Sequence, residues 1–297
     1  MRRRALGATG TDVSIVGLGA GALGDARTTD ADADALLGGA IDRGITLIDT
    51  APSYGASEER IGRALEARGR RDAIVLVTKG GYGVEGVADW TPDAVRLGID
   101  AALRRLRTDR IDAFLFHSCP MHVLVRDDLL GELDRAKDSG KIRLRGYSGE
   151  NEELAWAVAS GRFDVIETSV SFLDRASLGA TIAAASARGM GVLAKRPLGN
   201  APWRFDEEPG AADLREAWRR HRVLAIDPSP LAWPEAAVRF ASHAPGVSGV
   251  LVGTSSLAHL DAAAEAAERG PLDTDLLERF DAAWARAGEA GAWRGVI

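Results

Sequence analysis

Cysteine is almost absent from this chain of 297 residues, in which Cys119 is the only thiol. A single cysteine excludes an internal disulfide framework of the kind that stabilises small secreted domains. No segment approaches the roughly 20 consecutive apolar residues that a membrane-spanning helix requires. The arginines at positions 2–4 are followed by no apolar stretch long enough for a secretory signal. These absences predict a cytoplasmic protein without a membrane partner.

Positive charge is also in deficit, since 37 lysines and arginines face 43 aspartates and glutamates, for a formal net charge of −6. An acidic chain lacks the broad basic surface that nucleic acids require, so no nucleic-acid partner is expected, although a local phosphate site needs only a few groups. Histidine is scarce as well. None of the five histidines shows the His-x-x-x-His spacing of a common metal site, so no metal is predicted.

Glycine, by contrast, is plentiful, with 34 residues, and hydrophobic residues make up 46% of the chain. This composition is typical of a globular protein with many tight turns. Short aliphatic runs alternate with longer amphipathic segments, which is the pattern of repeated βα units. The predicted strands cover residues 15–19, 46–49, 74–78, 113–116, 142–147, 165–168, 191–194 and 249–252.

Eight βα units without a break in composition predict one closed (β/α)8 TIM barrel of the α/β class, a single domain over residues 1–297. A doubly wound parallel sheet is the alternative architecture. The turn-rich residues 7–12 predict a short hairpin ahead of the first strand. After the seventh strand, residues 197–229 predict an extended loop, which we expect to carry function or disorder rather than core.

Three helix starts are marked by capping residues or by proline. Thr91 before Pro92 combines an N-cap with a proline at the first helical position, and Ser57 and Pro234 begin two further helices. The long loop also contains a basic cluster, which is predicted to be the solvated face of a helix: Arg215, Arg219, Arg220 and Arg222.

Ionisable side chains recur where the predicted strands end. Asp49 closes the second strand with Tyr54 just beyond it, Lys79 follows the third strand, and His117 follows the fourth. In a barrel the carboxyl ends of all strands meet at one mouth, so these four side chains are expected to converge there. A lysine ammonium beside a phenol lowers the pKa of that phenol. The set therefore predicts a proton-transfer site in which the phenol acts near neutral pH.

Several motifs carry a resemblance to a known family. Residues 49–55 read Asp-Thr-Ala-Pro-Ser-Tyr-Gly, residues 77–79 read Val-Thr-Lys, and residues 114–117 read Phe-Leu-Phe-His. Together with residues 140–148 and 250–256, they resemble the aldo-keto reductases over nearly the whole chain.

The resemblance implies NAD(P)H-dependent reduction of an aldehyde or ketone, or the reverse oxidation of an alcohol, on a small-molecule substrate and without a metal. It makes Tyr54 the general acid and base, gives Lys79 and Asp49 the role of lowering the pKa of Tyr54, and gives His117 the role of orienting the carbonyl oxygen.

The resemblance also implies a cofactor, NADP(H) first and NAD(H) as the alternative. The residues expected to hold it are Gly19, Ser148, Glu167, Lys195, Arg196, Pro197, Leu198, Gly199, Gly253, Thr254, Ser255 and His259. Glu167 stands where the family usually has glutamine, and Lys195 where many members have an aromatic ring. We hypothesise that Glu167 and Lys195 form a partly buried ion pair, because an unpaired buried charge is costly.

Three other interpretations remain open on the sequence alone. Residues 17–22 formally match the Gly-x-Gly-x-x-Ala fingerprint of a dinucleotide-binding βαβ unit, but the next helix is predicted to begin only after residue 29 or 30. These glycines are therefore expected to let a loop pass close to substrate or cofactor. Lys195 could instead be the Schiff-base nucleophile of an aldolase. The chain could also be a nicotinamide-binding sensor with little turnover. The sequence does not indicate an oligomeric state.

Overall fold

The chain begins with a short antiparallel hairpin, as the sequence predicts. The computed structural model describes residues 1–287 and 293–296, and in it β1 (Arg3–Ala5) pairs with β2 (Asp12–Ser14). Leu6 and Val13 of this hairpin are fully buried in the cluster that fills the barrel interior, together with residues near the starts of several strands. The hairpin therefore closes the amino-terminal end of the barrel and leaves the other end open.

Eight parallel strands form a closed barrel. They are β3 (Val16–Gly19), β4 (Leu47–Asp49), β5 (Val75–Gly80), β6 (Ile111–His117), β7 (Ile142–Ser148), β8 (Val165–Ser169), β9 (Gly191–Lys195) and β10 (Gly249–Gly253). Neighbouring strands follow one another around the barrel, and β10 closes it by pairing with β3. Each predicted strand lies within two residues of the observed bounds. The (β/α)8 prediction is confirmed, and the doubly wound sheet is excluded.

Strand β6 shows why the barrel strands appear in the sequence as short apolar runs. Ala113 and Leu115 belong to the cluster inside the barrel, whereas Phe114 and Phe116 pack in the layer between the strands and the helices. Because a parallel strand of this kind is buried on both faces, its sequence is almost continuously apolar. The polar residues that interrupt the pattern therefore stand out at the strand ends.

Helices cover the outside of the barrel. They are α1 (Asp30–Asp42), α2 (Ser57–Arg68), α3 (Pro92–Arg105), α4 (Met121–Leu124), α5 (Asp127–Asp138), α6 (Asn151–Ser160), α7 (Ala180–Ala187), α8 (Ala212–Leu224), α9 (Trp233–Ser242), α10 (Leu257–Glu268) and α11 (Thr274–Ala287). The three predicted starts are confirmed, and Thr91 Oγ1 accepts a hydrogen bond of 3.2 Å from Ala94 N at the start of α3. Within residues 1–287 and 293–296, no helix has the length and apolar character to cross a membrane.

The glycine-rich segment after β3 does not open a helix. A short 3-10 turn, Ala20–Gly24, follows the strand, and α1 begins only at Asp30, where Thr29 Oγ1 accepts from Asp32 N at 3.1 Å. A dinucleotide fingerprint needs a helix that starts directly after its glycines. The match at residues 17–22 therefore has the wrong structural context, as its sequence surroundings indicate.

The insertion after β9 corrects two expectations. It contains a 3-10 turn at Pro202–Arg204 and the helix α8, and its Trp203 stacks on Trp233, with ring centroids 5.6 Å apart and planes 6° from parallel. These rings join Phe172 and Phe280 in a second hydrophobic core, so the segment contributes to packing. Arg220 of the basic cluster is buried, not solvated, because its guanidinium donates to the carbonyl oxygen of Leu173 at 3.2 Å.

Candidate active site at the barrel mouth

The structure brings the four predicted catalytic side chains together at the open end of the barrel. Asp49 ends β4, Lys79 lies at the end of β5, His117 ends β6, and Tyr54 lies in the loop between β4 and α2. Lys79 Nζ donates to Asp49 Oδ1 and lies 5.6 Å from the centroid of the Tyr54 ring. The rings of Tyr54 and His117 meet edge to face with centroids 6.4 Å apart. One phenol, one ammonium and one imidazole therefore share a single mouth.

The loop that carries Tyr54 is positioned by glycine. A Cβ atom on Gly24 would lie 1.4 Å from the carbonyl oxygen of Tyr54, and Gly55 has a φ of +53° and packs on Gly24. Ser57 Oγ donates to the carbonyl oxygen of Ala20 at 2.8 Å, which joins the same two segments. Gly24, which follows the glycine-rich residues 17–22, thus packs against the backbone of Tyr54.

Lys79 is buried between two carboxylates. The Lys79 side chain is 0% exposed, and Asp49 and Glu167 are 5% and 2% exposed. Glu167 Oε2 lies 3.3 Å from Lys79 Nζ, and Glu167 Oε1 accepts a hydrogen bond of 3.0 Å from Ser148 Oγ. The second counter-ion of Lys79 is thus supplied by β8.

The hypothesised ion pair between Glu167 and Lys195 is wrong. Lys195 Nζ lies 3.2 Å from Glu150 Oε1, while Glu167 pairs with Lys79. Glu150 is 1% exposed and also accepts from the Thr168 hydroxyl at 2.6 Å, so it is already anchored beside β8. Glu150, in the loop after β7, is therefore a nearer partner for Lys195 than Glu167, which lies in the neighbouring strand β8.

Two carboxylates and one ammonium in a dry pocket favour the uptake of one further proton. Burial, followed by the charge of Glu167, raises the pKa of Asp49 well above its usual range. Burial acts in the same direction on Glu167, but the positive charges of Lys79 and Lys195 outweigh it and hold the pKa of Glu167 below its usual value. Burial lowers the pKa of Lys79, but the two carboxylates more than reverse this and raise it. The two carboxylates beside Lys79 therefore favour sharing one proton, while Lys79 stays charged.

The expectation that Asp49 lowers the pKa of Tyr54 is wrong, whereas Lys79 acts in the expected direction but is outweighed by burial. Burial raises the pKa of Tyr54 to about 12, and although Lys79 lowers it, the carboxylates Asp49 and Glu167 raise it further. A carboxylate near a phenol opposes a second negative charge, so Asp49 acts against the predicted direction. Tyr54 consequently carries its proton at neutral pH, which is the form that can donate it.

His117 is neutral and has a partner that the sequence did not reveal. Burial, followed by the charge of Lys79, lowers the pKa of His117 to about 4. The hydroxyl of Tyr82 lies 2.6 Å from His117 Nδ1 and 2.9 Å from Ser53 Oγ. Tyr82 follows Lys79 by three residues, in the loop after β5. The signal that the sequence offered for this partner was a tyrosine in a βα loop at the functional face.

The loop after β9 forms a tight turn. Gly199 N donates to the carbonyl oxygen of Arg196 at 2.8 Å, and Gly199 has a φ of +55°. This turn contains the predicted cofactor residues Pro197 and Leu198. Arg196 Nη1 donates to the carbonyl oxygen of Val296 at 2.7 Å, so this guanidinium binds the carboxyl-terminal segment of the chain.

The start of α10 fits an anionic group. Gly253 and Ser255 are exposed, and Gly19 lies beside Gly253 in the strand register. Thr254 Oγ1 accepts from Ser256 N at 3.0 Å, and Ser256 caps the helix by accepting from His259 N at 3.5 Å. The first turn of α10 contains no carboxylate, whereas α1, α2 and α3 each contain at least one. Free backbone N–H groups and the helix dipole favour phosphate at such a terminus.

Comparisons with known proteins agree with this geometry. The model of the aldo/keto reductase family matches residues 15–285. The chain is 28% identical to L-galactose dehydrogenase of Arabidopsis thaliana, over 94% of this chain and 93% of that protein. It is 28% identical to the NADH-specific methylglyoxal reductase of Escherichia coli (strain K12), over 81% of this chain and 82% of that protein.

Two solved structures are similar as well. An aldo-keto reductase structure from Pseudomonas aeruginosa matches with a TM-score of 0.70 and 32% identity, over 89% of this chain and 96% of that one. The holo form of an aldo-keto reductase from Bacillus halodurans has a TM-score of 0.84 at 24% identity, over 95% of this chain and 96% of that one, and shows the same fold.

The barrel, its mouth and these relatives define an oxidoreductase that acts on carbonyl or alcohol groups. The chain belongs to the aldo/keto reductase family. Members of this family use nicotinamide cofactors, and the uncharged start of α10 beside Gly253 suits the phosphates of such a molecule.

Proposed function

We propose that the protein reduces an aldehyde or ketone with NAD(P)H, and runs the reverse alcohol oxidation, with Tyr54 as the proton donor and acceptor. The observation that carries this proposal is the burial of Lys79 between Asp49 and Glu167, 5.6 Å from the centroid of the Tyr54 ring, with His117 at the edge of that ring. A lysine with only a structural role would not require a phenol and an imidazole beside it.

In this proposal each side chain has a separate task. Tyr54, protonated at neutral pH, donates its proton to the substrate oxygen, and the ammonium of Lys79 stabilises the phenolate that forms. Neutral His117 donates a hydrogen bond to the same oxygen and orients it. Asp49 and Glu167 hold Lys79 charged. The bound nicotinamide supplies the hydride, while the protein provides orientation and the proton.

We propose that the cofactor lies across the ends of β7 to β10. Ser148, Glu167 and Lys195 would face its nicotinamide end, and the carboxylate of Glu167 can accept from a carboxamide. The phosphate end would be held by Gly19, by the turn from Arg196 to Gly199, and by Gly253, Thr254, Ser255 and His259.

We propose NADP(H) ahead of NAD(H) as this cofactor. An NAD-specific site commonly places a carboxylate against the ribose 2′-hydroxyl, and the first turn of α10 contains none. The Asp261 carboxylate on the same helix forms an ion pair with Arg43. Two exposed groups, Ser255 and His259, remain to contact a 2′-phosphate.

We further propose that residues 1–297 form one catalytic domain, that it works in the cytoplasm, and that its substrate is a small carbonyl compound or alcohol. The packing of residues 293–296 on the barrel supports the first point, because Arg196 binds the Val296 carbonyl and Asn151 binds Gly295. The lone, buried Cys119 suits a reducing compartment.

The test is a fluorescence titration with NADPH and NADH, followed by turnover on a panel of aldehydes, ketones and aldoses. The panel includes methylglyoxal and L-galactose because two relatives are named for these compounds. Binding with turnover supports the proposal, whereas binding without turnover on any compound overturns it in favour of a sensor. Trapping of a substrate adduct on Lys195 by borohydride would favour an aldolase, but Lys195 Nζ lies 3.2 Å from Glu150 Oε1 in an ion pair.

A further inference from the structure

Tyr82 is a second phenol at the mouth, and the proposed reaction leaves it without a task. Its hydroxyl lies 2.6 Å from His117 Nδ1 and 2.9 Å from Ser53 Oγ, so it joins the residue before Tyr54 to the imidazole. Within residues 1–287 and 293–296, His117 Nε2 has no hydrogen-bond partner. The ring is thus held through one nitrogen, and the other nitrogen is available to a ligand.

The ring of Tyr82 is held in place by the packing of the loop after β5. The preceding residue, Gly81, has a φ of +109°, and a Cβ atom there would lie 2.0 Å from the Trp90 ring. Trp90 N donates to the carbonyl oxygen of Gly81 at 2.6 Å, and the Trp90 ring lies 6.2 Å from that of Tyr82 and 5.8 Å from that of Phe116. This packing fixes the loop after β5 and aims the phenol at His117.

The chemistry of the two partners decides where the protons lie. Burial, the largest effect on both groups, raises the pKa of Tyr82 and lowers that of His117, so the pair is a neutral phenol and a neutral imidazole. A neutral imidazole has one nitrogen that donates and one that accepts. A 2.6 Å contact is in the range of a short bond donated by a hydroxyl. The bond between Tyr82 and Ser53 can run in either direction, because each hydroxyl both donates and accepts.

We propose that Tyr82 is a positioning residue that donates to His117 Nδ1 and thereby places the imidazole proton on Nε2, where it points to the reacting oxygen. This inference rests on the proposed function. The partner at one ring nitrogen sets the protonation of the other. With the opposite tautomer, the Nε2 lone pair would face the lone pairs of a carbonyl oxygen and repel them. Tyr82 therefore converts His117 into a hydrogen-bond donor without giving it a charge.

The experiment compares the wild type with Tyr82→Phe. Long-range 1H–15N correlation spectra of the protein without cofactor report which nitrogen of His117 carries the proton, with His117→Gln used to assign the signals. Steady-state kinetics then give kcat and KM for the best carbonyl substrate. Tyr147→Phe is the matched control, because the Tyr147 hydroxyl donates to the carbonyl oxygen of Cys119 at 3.3 Å and lies outside the proposed contact.

The proposal predicts the Nε2–H tautomer in the wild type and in Tyr147→Phe. In Tyr82→Phe the population moves toward the Nδ1–H tautomer, and kcat falls by about three- to tenfold with unchanged nicotinamide affinity. An Nδ1–H tautomer in the wild type overturns the proposal, as does an unchanged tautomer or an unchanged kcat in Tyr82→Phe. The spectra need no turnover, so they decide the role of Tyr82 at His117 even if the protein reduces no carbonyl compound.

Discussion

The ammonium of Lys79 lies 3.3 Å from the carboxylate of Glu167, so this buried lysine has a second counter-ion besides Asp49. The two carboxylates exceed the lysine by one charge, and their burial raises the pKa of Asp49, which favours a proton on the pair. In the unfolded chain both carboxylates are ionised above about pH 5. Folding should therefore favour proton uptake at the centre of the site, which is measurable as a pH dependence of stability.

Glu167→Gln is expected to abolish this proton uptake. Because the native site keeps a proton that the unfolded carboxylates have released above about pH 5, the free energy of unfolding of the wild type should fall with rising pH relative to that of the variant. The variant leaves Asp49 as the only carboxylate beside Lys79 and should lose that slope. Denaturant unfolding across this pH range measures it, with Glu59→Gln on an exposed position as control. Equal slopes in all three proteins would show that Asp49 and Glu167 share no proton.

His117 should make the protein less stable in acid. The pKa of His117 is lowered to about 4 in the folded protein, so below pH 6.5 the unfolded chain binds a proton that the native site rejects. His117 alone should therefore lower the free energy of unfolding by about 3 kcal/mol as the pH drops from 6.5 to 4. His117→Gln should lack this loss, whereas exposed His122→Gln should retain it. The idea fails if the His117 and His122 variants have the same pH dependence.

Lys195 and Glu150 should behave as an energetic pair. Glu150 is 1% exposed and its carboxylate lies 3.2 Å from Lys195 Nζ, so Lys195→Met leaves a buried charge without its partner. A double-mutant cycle with Glu150→Gln should give a coupling of at least about 1 kcal/mol in the free energy of unfolding. The matched cycle of Lys195→Met with Glu167→Gln should give a smaller coupling. A larger coupling in that second cycle would restore the rejected pairing.

The two directions of the reaction should differ in pH dependence. Since burial raises the pKa of Tyr54 to about 12, the phenol stays protonated through the neutral and mildly alkaline range. We expect kcat/KM for carbonyl reduction to be level from pH 7 to about 10, and that for alcohol oxidation, which needs the phenolate, to rise about tenfold per pH unit. Initial rates in both directions test this. A fall in reduction below pH 9 would show that the phenol ionises earlier.

The fold could be predicted from the sequence because its strands are buried on both faces. The run from Phe114 to Phe116 is apolar without interruption, so His117 at its end stands out, as do Asp49 and Lys79. The partners of these side chains could not be predicted. Glu150 and Tyr82 lie in loops, and their distances from Lys195 and His117 depend on backbone geometry that no periodicity encodes. The direction of the pKa shift of Tyr54 was missed because burial, invisible in the sequence, outweighs the charge of Lys79.

The most direct test of the account is Tyr54→Phe, measured by nicotinamide titration and by turnover on the best carbonyl substrate. This substitution removes the proposed proton donor and leaves the residues proposed for the cofactor unchanged. The account predicts that kcat/KM for reduction falls by a factor of about 1,000, while the Kd for NADPH stays close to that of the wild type and Tyr147→Phe keeps its activity. A Tyr54→Phe enzyme that retains most of its reductase activity would contradict the assignment of Tyr54 as proton donor.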